Sequence, residues 1–331
     1  MSLHRENAQG SAELPSTYDG PVTFAIIGGT GLYNLPNLKP VARLTVSTPW
    51  GFPSSPITIS VTEKGFPVAF LARHGQAHDL LPTDVPARAN IAALKSLGVT
   101  AVVAFSAVGS LQQEIKPRDF VVPTQIIDRT KGNRPLTFFE KGFVAHAMFG
   151  EPFDLKLNRL IRDHIPKTGF LEAEDKKGVV PVLHTKPDDR GAEDLTVICM
   201  EGPQFSTRAE SKIYRSWGGS VINMSVLPEA KLAREAELAY QMICMSTDYD
   251  SWNEDEEPVT VETIVGNLNA NSANACKLAA ALIEIVSEHG KDLGAELKGS
   301  MKFSVSTANH SLSKEVLAKM HFLFPGYWPA H

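Results

Sequence analysis

The sequence predicts an α/β protein in which one large domain contains a parallel or mixed β-sheet. A strand at 68–72, a helix that opens at Thr83 and a strand at 100–105 follow one another directly, and such strand–helix–strand units are typical of these sheets. No linker separates two apolar cores. The 331 residues are 43% hydrophobic and 21% charged, which is ordinary globular composition, so a single large unit is favoured.

The first half of the chain contains mostly strands and one clear helix. The helix that opens at Thr83 has apolar residues at helical spacing, from Ala87 to Leu97, and Gly98 closes it. Apolar runs bounded by turn residues predict strands at 22–27, 41–47, 57–61, 68–72, 100–105 and 119–127.

In the second half, helices alternate with short strands. Thr207 and Glu210 have the spacing of a capping box, which predicts a helix start at Thr207. Another helix is expected over 228–237. A long helix is expected to begin near Thr260, to resume after an interruption and to end at Gly290. Strands are predicted at 196–200, 220–223 and 238–245, and the charged segment 184–194 is expected to be an exposed loop.

The two ends differ in composition from the predicted domain, which covers residues 21–309. Residues 1–20 are polar and lack the apolar core of a signal peptide, so we expect a disordered tail on an intracellular protein of the cytoplasm, with the nucleus as a second compartment. Residues 310–331 form a C-terminal extension with a short helix and an aromatic run. That run is expected to pack against the body or a neighbouring subunit.

Composition excludes several classes of protein. The net charge of -5 and the pI of about 6.1 give no nucleic-acid footprint. No apolar run reaches the roughly 18 residues that a membrane-spanning helix needs. The three cysteines (Cys199, Cys244 and Cys276) lack CxxC pairing, so neither a disulfide framework nor a zinc site is predicted, and no metal is expected.

The segment TDYD at 247–250 carries the strongest chemical signal. It follows an apolar run that predicts a buried strand, and side chains two residues apart on a strand point to the same side. Two half-buried carboxyls at that distance cannot both ionise freely, which raises the pKa of one toward neutrality. Asp248 and Asp250 are therefore candidates for a general acid. A solvated acidic turn and a metal site are the alternatives.

Small, hydroxyl-bearing or basic residues follow four separate predicted strands. Ligands of open α/β sheets bind at the carboxyl ends of the strands, so these side chains could surround one phosphate. A simple glycine turn at 28–31, and a surface Arg beside a core His at 73–74, are the alternatives. The set comprises Thr30, Arg73, His74, Ser106 and Ser225.

Other familiar motifs are absent from the sequence. The glycines at 28–31 lack the later third glycine of a dinucleotide-binding fingerprint, and no Lys follows them as in a Walker A loop. No GxSxG or HExxH occurs, and the histidines are dispersed.

Taken together, these segments resemble the 5'-methylthioadenosine phosphorylase family of the trimeric purine nucleoside phosphorylase superfamily. The likeness extends from about residue 24 to about residue 305. The segments that carry it are GGTGL at 28–32, ARHG at 72–75, AVGSL at 107–111, EGPQFSTRAE at 201–210, VINMS at 221–225 and TDYD at 247–250.

The resemblance implies a single α/β domain around a distorted mixed sheet, a homotrimer, and phosphorolysis of 5'-methylthioadenosine in methionine and purine salvage. Inorganic phosphate would be a co-substrate, and no cofactor would be needed. It implies phosphate binding by Thr30, Arg73, His74, Ser106, the Ala107 amide and Ser225. The implied nucleoside ligands are Phe205, Ser206, Met224, Asp248, Asp250, Val261, Val265 and, from a neighbouring subunit, His146.

The resemblance also has departures and competitors. Ser106 and Ser225 stand where the family usually has Thr, and 304–307 aligns where the family places an apolar residue over the methylthio group. A phosphorylase for 6-oxopurine nucleosides is the nearest competitor, although two carboxylates suit a 6-amino group. A non-catalytic nucleoside-binding protein and an NAD-dependent enzyme are the competitors from other classes.

Overall fold

The computed structural model describes residues 14–29, 35, 37–165, 180–187, 192–254 and 260–328. These residues form eleven strands and six α-helices. The strands are β1 (Phe24–Gly28), β2 (Leu38–Leu44), β3 (Ile57–Thr62), β4 (Pro67–Ala72), β5 (Ala101–Ser110), β6 (Phe120–Val121), β7 (Gln125–Arg129), β8 (Leu183–His184), β9 (Thr196–Met200), β10 (Gly219–Asn223) and β11 (Ala239–Tyr249). The helices are α1 (Ala87–Ser96), α2 (Leu155–His164), α3 (Arg208–Ser216), α4 (Val226–Glu235), α5 (Val261–His289) and α6 (Lys314–Leu323).

The strands form one mixed sheet whose main order is β2-β3-β4-β1-β5-β10-β9-β7. Strand β5 is the branch point that distorts it. One edge of β5 pairs in parallel with β11 from Ala101 to Ser110. The other edge pairs with β1 at 101–104 and then, antiparallel, with β10 at 109–110. The predicted fold class, a distorted mixed sheet flanked by helices, is confirmed.

Side chains of β1 alternate between two apolar clusters on opposite faces of the sheet, as the strand period requires. Ala25 and Ile27 pack in the cluster that α1, α4 and α6 complete, whereas Phe24 and Ile26 pack in the cluster that α2 and α5 complete. The sheet is therefore covered on both faces, which leaves its strand ends as the place for a site. None of the helices in the described ranges is long and apolar enough to cross a bilayer.

Most predicted elements are present, and several boundaries differ. Strand β5 continues to Ser110 instead of ending at Phe105, so Ser106 lies within the strand. Helix α1 begins at Ala87 rather than Thr83, because the residue before Pro86 disfavours helical backbone. The predicted strand 119–127 is two strands, β6 and β7, separated at 122–124 by a segment that includes Pro123. Strand β11 continues to Tyr249, so Asp248 lies within it. Helix α5 is continuous from Val261 to His289.

The C-terminal extension packs against the body of its own chain. Ser313 caps α6 with its side chain, and the helix buries Val316, Leu317 and Met320 in the cluster that also contains α1. The aromatic run follows, and the Trp328 ring meets Phe143 edge-on at 5.0 Å between centroids. These residues extend the core of the domain.

The N-terminal segment and the predicted loop at 184–194 are described only in part. Residues 1–13 and 188–191 lie outside the described residues, so the predicted disorder of the tail stays a prediction. Pro15 accepts a hydrogen bond from the Arg43 amide at 2.8 Å, and Tyr18 packs against the core. Leu183–His184 forms β8, which pairs in parallel with β6.

Glu235, at the end of α4, is a buried carboxyl that fixes the segment before α2. Its oxygens accept hydrogen bonds from the Thr137 hydroxyl at 2.7 Å and the Phe138 amide at 2.8 Å. Burial nevertheless raises the pKa of Glu235 from its ordinary value of 4.5 to about 7, against the lowering effect of these two donors and of Lys231.

The pKa of Glu235 predicts a pH-dependent stability. A folded-state pKa above the unfolded one means that the folded protein binds more protons between pH 4.5 and 7, so stability is lost as pH rises through that window. Other buried carboxyls contribute losses of their own, so we expect the loss of unfolding free energy across that window to be about 3 kcal/mol smaller in Glu235→Gln than in the wild type. Urea unfolding from pH 4.5 to 8 measures it, with Glu315→Gln as the exposed control. Parallel curves for wild type and Glu235→Gln would contradict this prediction.

Candidate active site

A cavity of about 640 Å³ opens at the carboxyl-terminal ends of β1, β4, β10 and β11 and along the second half of β5. This is where ligands of open α/β sheets bind. Most of the side chains that the sequence singled out line it, although their chain positions span nearly 200 residues. They are Arg73, His74, Ser106, Ala107, Phe205, Met224, Ser225, Asp248, Asp250, Val261 and Val265.

Asp248 and Asp250 lie side by side on one wall of the cavity. The ladder between β11 and β5 shifts its register between Ser246 and Asp248, which sets the direction of the last residues of the strand. Both carboxyl-bearing side chains lie over Gly109, where a Cβ atom would be 3.2 Å from Asp248 Oδ2 and 3.5 Å from Asp250 Cβ. Both residues are buried, so the alternative of a solvated acidic turn is wrong.

The two carboxyls differ in proton affinity. Burial, with a smaller contribution from the charge of Asp250, raises the pKa of Asp248 from 3.8 to about 7 against the lowering effect of a 2.6 Å hydrogen bond from the Thr247 hydroxyl. Burial also raises the pKa of Asp250, against the lowering effect of nearby hydroxyls. Desolvation is thus a larger cause than the charge repulsion that the sequence suggests. Asp248 can exchange a proton near neutral pH.

A pair of hydroxyls lies on β5 and at the end of β10. Ser106 Oγ and Ser225 Oγ are 2.8 Å apart, and the Asn223 amide nitrogen lies 3.2 Å from the first and 3.4 Å from the second. Ala107 follows on β5 and also lines the cavity. The arrangement places several small donors within reach of one anion.

Arg73 is held by a partner that sequence reasoning did not single out. Its guanidinium donates to both carboxylate oxygens of Glu229, at 2.8 and 2.9 Å, and to the Phe105 carbonyl at 2.8 Å. The Tyr240 hydroxyl donates to the same carboxylate at 2.7 Å. Both members of the ion pair are only 4% exposed. The positive charge of Arg73 is therefore balanced by a buried carboxylate at the edge of the cavity.

The protonation state of His74 differs from that of the phosphate-binding hydrogen-bond donor that the sequence predicts. Its Nδ1 lies 2.9 Å from the Leu80 carbonyl, which can only accept, so Nδ1 carries the ring proton. Burial and the adjacent Arg73 lower the pKa of His74 to about 4. The neutral ring presents Nε2 as an acceptor, and donation from Nε2 requires a second proton.

Phe205 and Met224 line another side of the cavity. Phe205 lies in the loop between β9 and α3 and is half-exposed, which leaves a ring face open to a ligand. Gly202 has φ +72°, and a Cβ there would be 2.3 Å from Met224 Sδ, so this loop needs glycine to approach Met224. Ser206 is buried with its hydroxyl 3.7 Å from Met200 Sδ and is not among the described lining residues.

Four further residues belong to the predicted site. Val261 and Val265, in the first turns of α5, line the cavity and are 67% and 46% exposed, so they offer an uncovered apolar surface. His146 is exposed and is not among the described residues that line the cavity of its own chain. Thr30 lies outside the described residues.

His146 shares its surface with the departure that the sequence shows at 304–307. Its amide donates to the Ser304 carbonyl at 3.2 Å, and the neighbouring Ala145 forms an antiparallel bridge with Val305. Ser306 and Thr307 bond to Val144. None of these residues is among the described residues that line the cavity of its own chain.

Comparison with known proteins places this site in a family. The sequence profile of the phosphorylase superfamily matches residues 23–284, which is most of the chain and includes every cavity residue named above. The chain belongs to the phosphorylase superfamily. Within the described residues, no group of three or more His, Cys, Asp or Glu side chains could hold a metal ion.

Individual members of the superfamily are similar over nearly the full length. The S-methyl-5'-thioadenosine phosphorylase of Candida albicans (strain SC5314 / ATCC MYA-2876) is 77% identical over 328 residues, covering 99% of this chain and 95% of that protein. The crystal structure of a methylthioadenosine phosphorylase from an Antarctic soil metagenomic library matches with a TM-score of 0.81 and 37% identity, covering 92% and 99% of the two chains. Methylthioadenosine phosphorylase from Schistosoma mansoni in complex with adenine matches with a TM-score of 0.77 and 30% identity, covering 87% and 100%.

Sequence reasoning missed the residues that support the site from behind. Asn223 lies in the segment that carries the superfamily resemblance, but its contact with the two serines follows only from the end of β10. The sequence offers one signal for Glu229, because it is a carboxyl in an apolar stretch. In the structure it lies in α4 and is 3% exposed. Arg134 and Glu201 pair at 2.7 Å under the site across 67 residues, and nothing local indicates that pairing.

Proposed function

We propose that this protein catalyses the phosphorolysis of 5'-methylthioadenosine, giving adenine and 5-methylthioribose-1-phosphate. Inorganic phosphate is the co-substrate, and the reaction needs no cofactor. The observation that carries the proposal is the presence in one cavity of a carboxyl that titrates near neutrality, Asp248, and the hydroxyl pair Ser106 and Ser225. Relatives with this activity cover almost the whole chain.

Adenine leaves the sugar readily only when N7 gains a proton or a strong hydrogen bond. Asp248 supplies that proton as the bond between the sugar C1' and N9 breaks and its electron pair moves onto the base. The phosphate oxygen forms the new bond to C1', and the proton that phosphate loses balances the one that the base gains. A pKa of about 7 leaves a large protonated fraction of Asp248 for this step at neutral pH.

The phosphate lies against Ser106, Ala107, Ser225 and the Arg73–Glu229 pair, with Thr30 completing the set. Because Glu229 balances Arg73, the net attraction for a dianion comes from neutral donors and from protonation of His74. The dianion also faces the cation-like sugar of the transition state. Preorganised donors at this position stabilise that charge distribution without rearranging during the reaction.

The base is recognised by its 6-amino group. While Asp248 gives its proton to N7, Asp250 in its ionised form accepts a hydrogen bond from the amino group and has no proton to offer a 6-oxo group, and unpaired buried polar groups reject a wrong substrate strongly. Phe205 packs on the purine with Ser206 nearby, and Met224 lies along the ribose. The uncovered surface of Val261 and Val265 takes the methylthio group.

His146 completes the site from a neighbouring subunit in a homotrimer that acts in the cytoplasm and the nucleus. The exposure of His146 and its position outside the cavity of its own chain support this arrangement. Sedimentation combined with activity at decreasing protein concentration measures it. Fully active monomers would contradict the shared site.

The activity is measured directly by the release of adenine from 5'-methylthioadenosine, with and without phosphate, beside inosine as a 6-oxopurine control. Phosphate-dependent adenine release with little hypoxanthine from inosine is expected. Preference for inosine would leave the phosphate site intact and contradict the role given to the Asp pair. Release from neither substrate would contradict the proposal as a whole.

A further inference from the structure

Arg134 is buried beneath the cavity and uses every hydrogen of its guanidinium. Nε donates to Glu201 Oε1 at 2.7 Å. Nη1 donates to the carbonyls of Met224 and Leu227 at 2.6 and 2.7 Å. Nη2 donates to the carbonyl of Met200 at 3.3 Å and to that of Glu201. Since arginine has five N–H groups, none is left for a ligand, and any effect of Arg134 on the reaction must pass through these partners.

The carbonyls that Arg134 binds belong to two segments that separate at this point. Strands β9 and β10 pair in parallel as far as Cys199 and Asn223, where the ladder ends. Beyond it, one segment runs from Met200 to the loop of Phe205, and the other runs through Met224 and Ser225 into α4. Where backbone pairing between the two segments has ended, the hydrogen bonds of the Arg134 side chain join them.

The two segments carry different parts of the cavity. The first presents Phe205, and the second presents Met224 and the hydroxyl of Ser225. They also touch directly, because Gly202 packs against Met224 Sδ so closely that it leaves no room for a Cβ. A displacement of either segment therefore moves the groups that the other presents to a ligand.

Glu201 keeps Arg134 in place. Its second oxygen accepts a hydrogen bond from the Lys131 amide at 2.6 Å. One carboxylate therefore binds two residues of the same loop, Lys131 and Arg134. Both side chains of the ion pair are at most 5% exposed. A buried ion pair in which each carboxylate oxygen has its own donor has one well-defined geometry, in contrast to a surface ion pair.

We propose that Arg134 is a positioning residue that couples the base side of the cavity, at Phe205, to the phosphate side, at Met224 and Ser225. This inference rests on the proposed function, since it assigns the two sides to purine and phosphate. Phosphate bound at Ser225 orders the second segment, and Arg134 transmits that order to the first. Adenine and phosphate then strengthen each other's binding reciprocally.

The coupling is measured with two probes that do not react with each other, adenine and inorganic phosphate. Calorimetry gives the Kd of adenine without phosphate and at saturating phosphate. We expect phosphate to lower the adenine Kd of the wild type by about 5- to 20-fold, within the usual range of coupling between sites. In Arg134→Lys, which loses the fork that reaches both segments, we expect the two Kd values to agree within about twofold.

Control variants separate this role from general stability. Arg88→Lys alters another Arg–Glu pair, one that is partly exposed and away from the cavity, and should keep the coupling of the wild type. Glu201→Gln retains a carbonyl acceptor but removes the charge, and should reduce the coupling. It replaces Arg134→Lys in the measurement if that variant does not fold.

The outcomes distinguish the inference from the function on which it rests. If the wild type binds neither adenine nor phosphate, the proposed function is wrong. If both bind but phosphate leaves the adenine Kd unchanged, or if coupling persists in Arg134→Lys and Glu201→Gln, the positioning role is wrong and the proposed function stands.

Discussion

Replacing Asp248 with Asn should reduce kcat/KM for 5'-methylthioadenosine by about 10²- to 10⁴-fold, the usual contribution of a general acid. Asparagine occupies the same volume and can donate a weak hydrogen bond, but it cannot deliver a proton to N7. The wall of the cavity stays in place, because Gly109 and Thr247 contact either side chain. The loss should therefore appear mainly in kcat.

The pH dependence gives the same variant a second readout. Asp248 acts in its protonated form, whose fraction falls as pH rises through about 7. Wild-type kcat should decline as pH rises through about 7, and Asp248→Asn should lack the decline. Inosine turnover should rise relative to adenine nucleosides, since an amide can donate to a 6-oxo group. Asp292→Asn, which changes an 81% exposed carboxyl, should match the wild type in all three measurements.

An unchanged kcat and an unchanged base preference in Asp248→Asn would contradict the assignment of the acid. If Asp248→Asn lost activity but its kcat still declined as pH rises through about 7, the titrating group would be another residue. Asp250 would then be the next residue to test. The two carboxyls can be separated in this way because their surroundings differ, with one bonded by the Thr247 hydroxyl and the other influenced by Ser206 and Ser211.

Glu229→Gln should destabilise the protein by about 3 to 5 kcal/mol, because removing one partner of a buried ion pair leaves an unbalanced buried charge. Arg73 and Glu229 are each 4% exposed, so water cannot replace the lost carboxylate. The Tyr240 hydroxyl would also lose a charged acceptor. Chemical unfolding at pH 7 measures the difference.

Phosphate should partly restore the stability of Glu229→Gln. With Glu229 neutral, that carboxylate no longer balances the charge of Arg73, so the thermal shift on adding phosphate should exceed that of the wild type. Glu140→Gln, in a pair with Arg88 whose side chains are 28% and 29% exposed, should change the unfolding free energy by at most about 1 kcal/mol. Equal losses in the two variants would contradict the charge-balance argument.

The residues of the site were predictable where strand ends present unusual chemistry. Asp248, Arg73, Ser106 and Ser225 each follow or end an apolar run, and strands of one sheet bring such positions to the same edge. The same reasoning gave most strands and helices, because burial imposes their periods on the sequence, but it gave neither β8 nor α2.

The supporting contacts were not predictable, because they join distant segments or involve backbone groups. Glu229 meets Arg73 across 156 residues, and Arg134 binds four carbonyls, which every sequence position carries alike. The state of His74 also depends on the Leu80 carbonyl, which residue type does not reveal. The break between β6 and β7 lies at 122–124. The sequence does not reveal it, because the apolar pattern continues up to Pro123.

The branch in β5 leaves a short interior strand edge without a strand beside it. Between its pairing with β1, which ends at Ala104, and its pairing with β10, which starts at Gly109, the stretch 105–108 has no strand neighbour on that edge among the described residues. Ser106 and Ala107 lie there, and Arg73 takes the Phe105 carbonyl. Unpaired edges normally invite association with another chain, but this one is enclosed within the sheet. The residues of this edge instead line the cavity, which a small molecule can enter and another strand cannot.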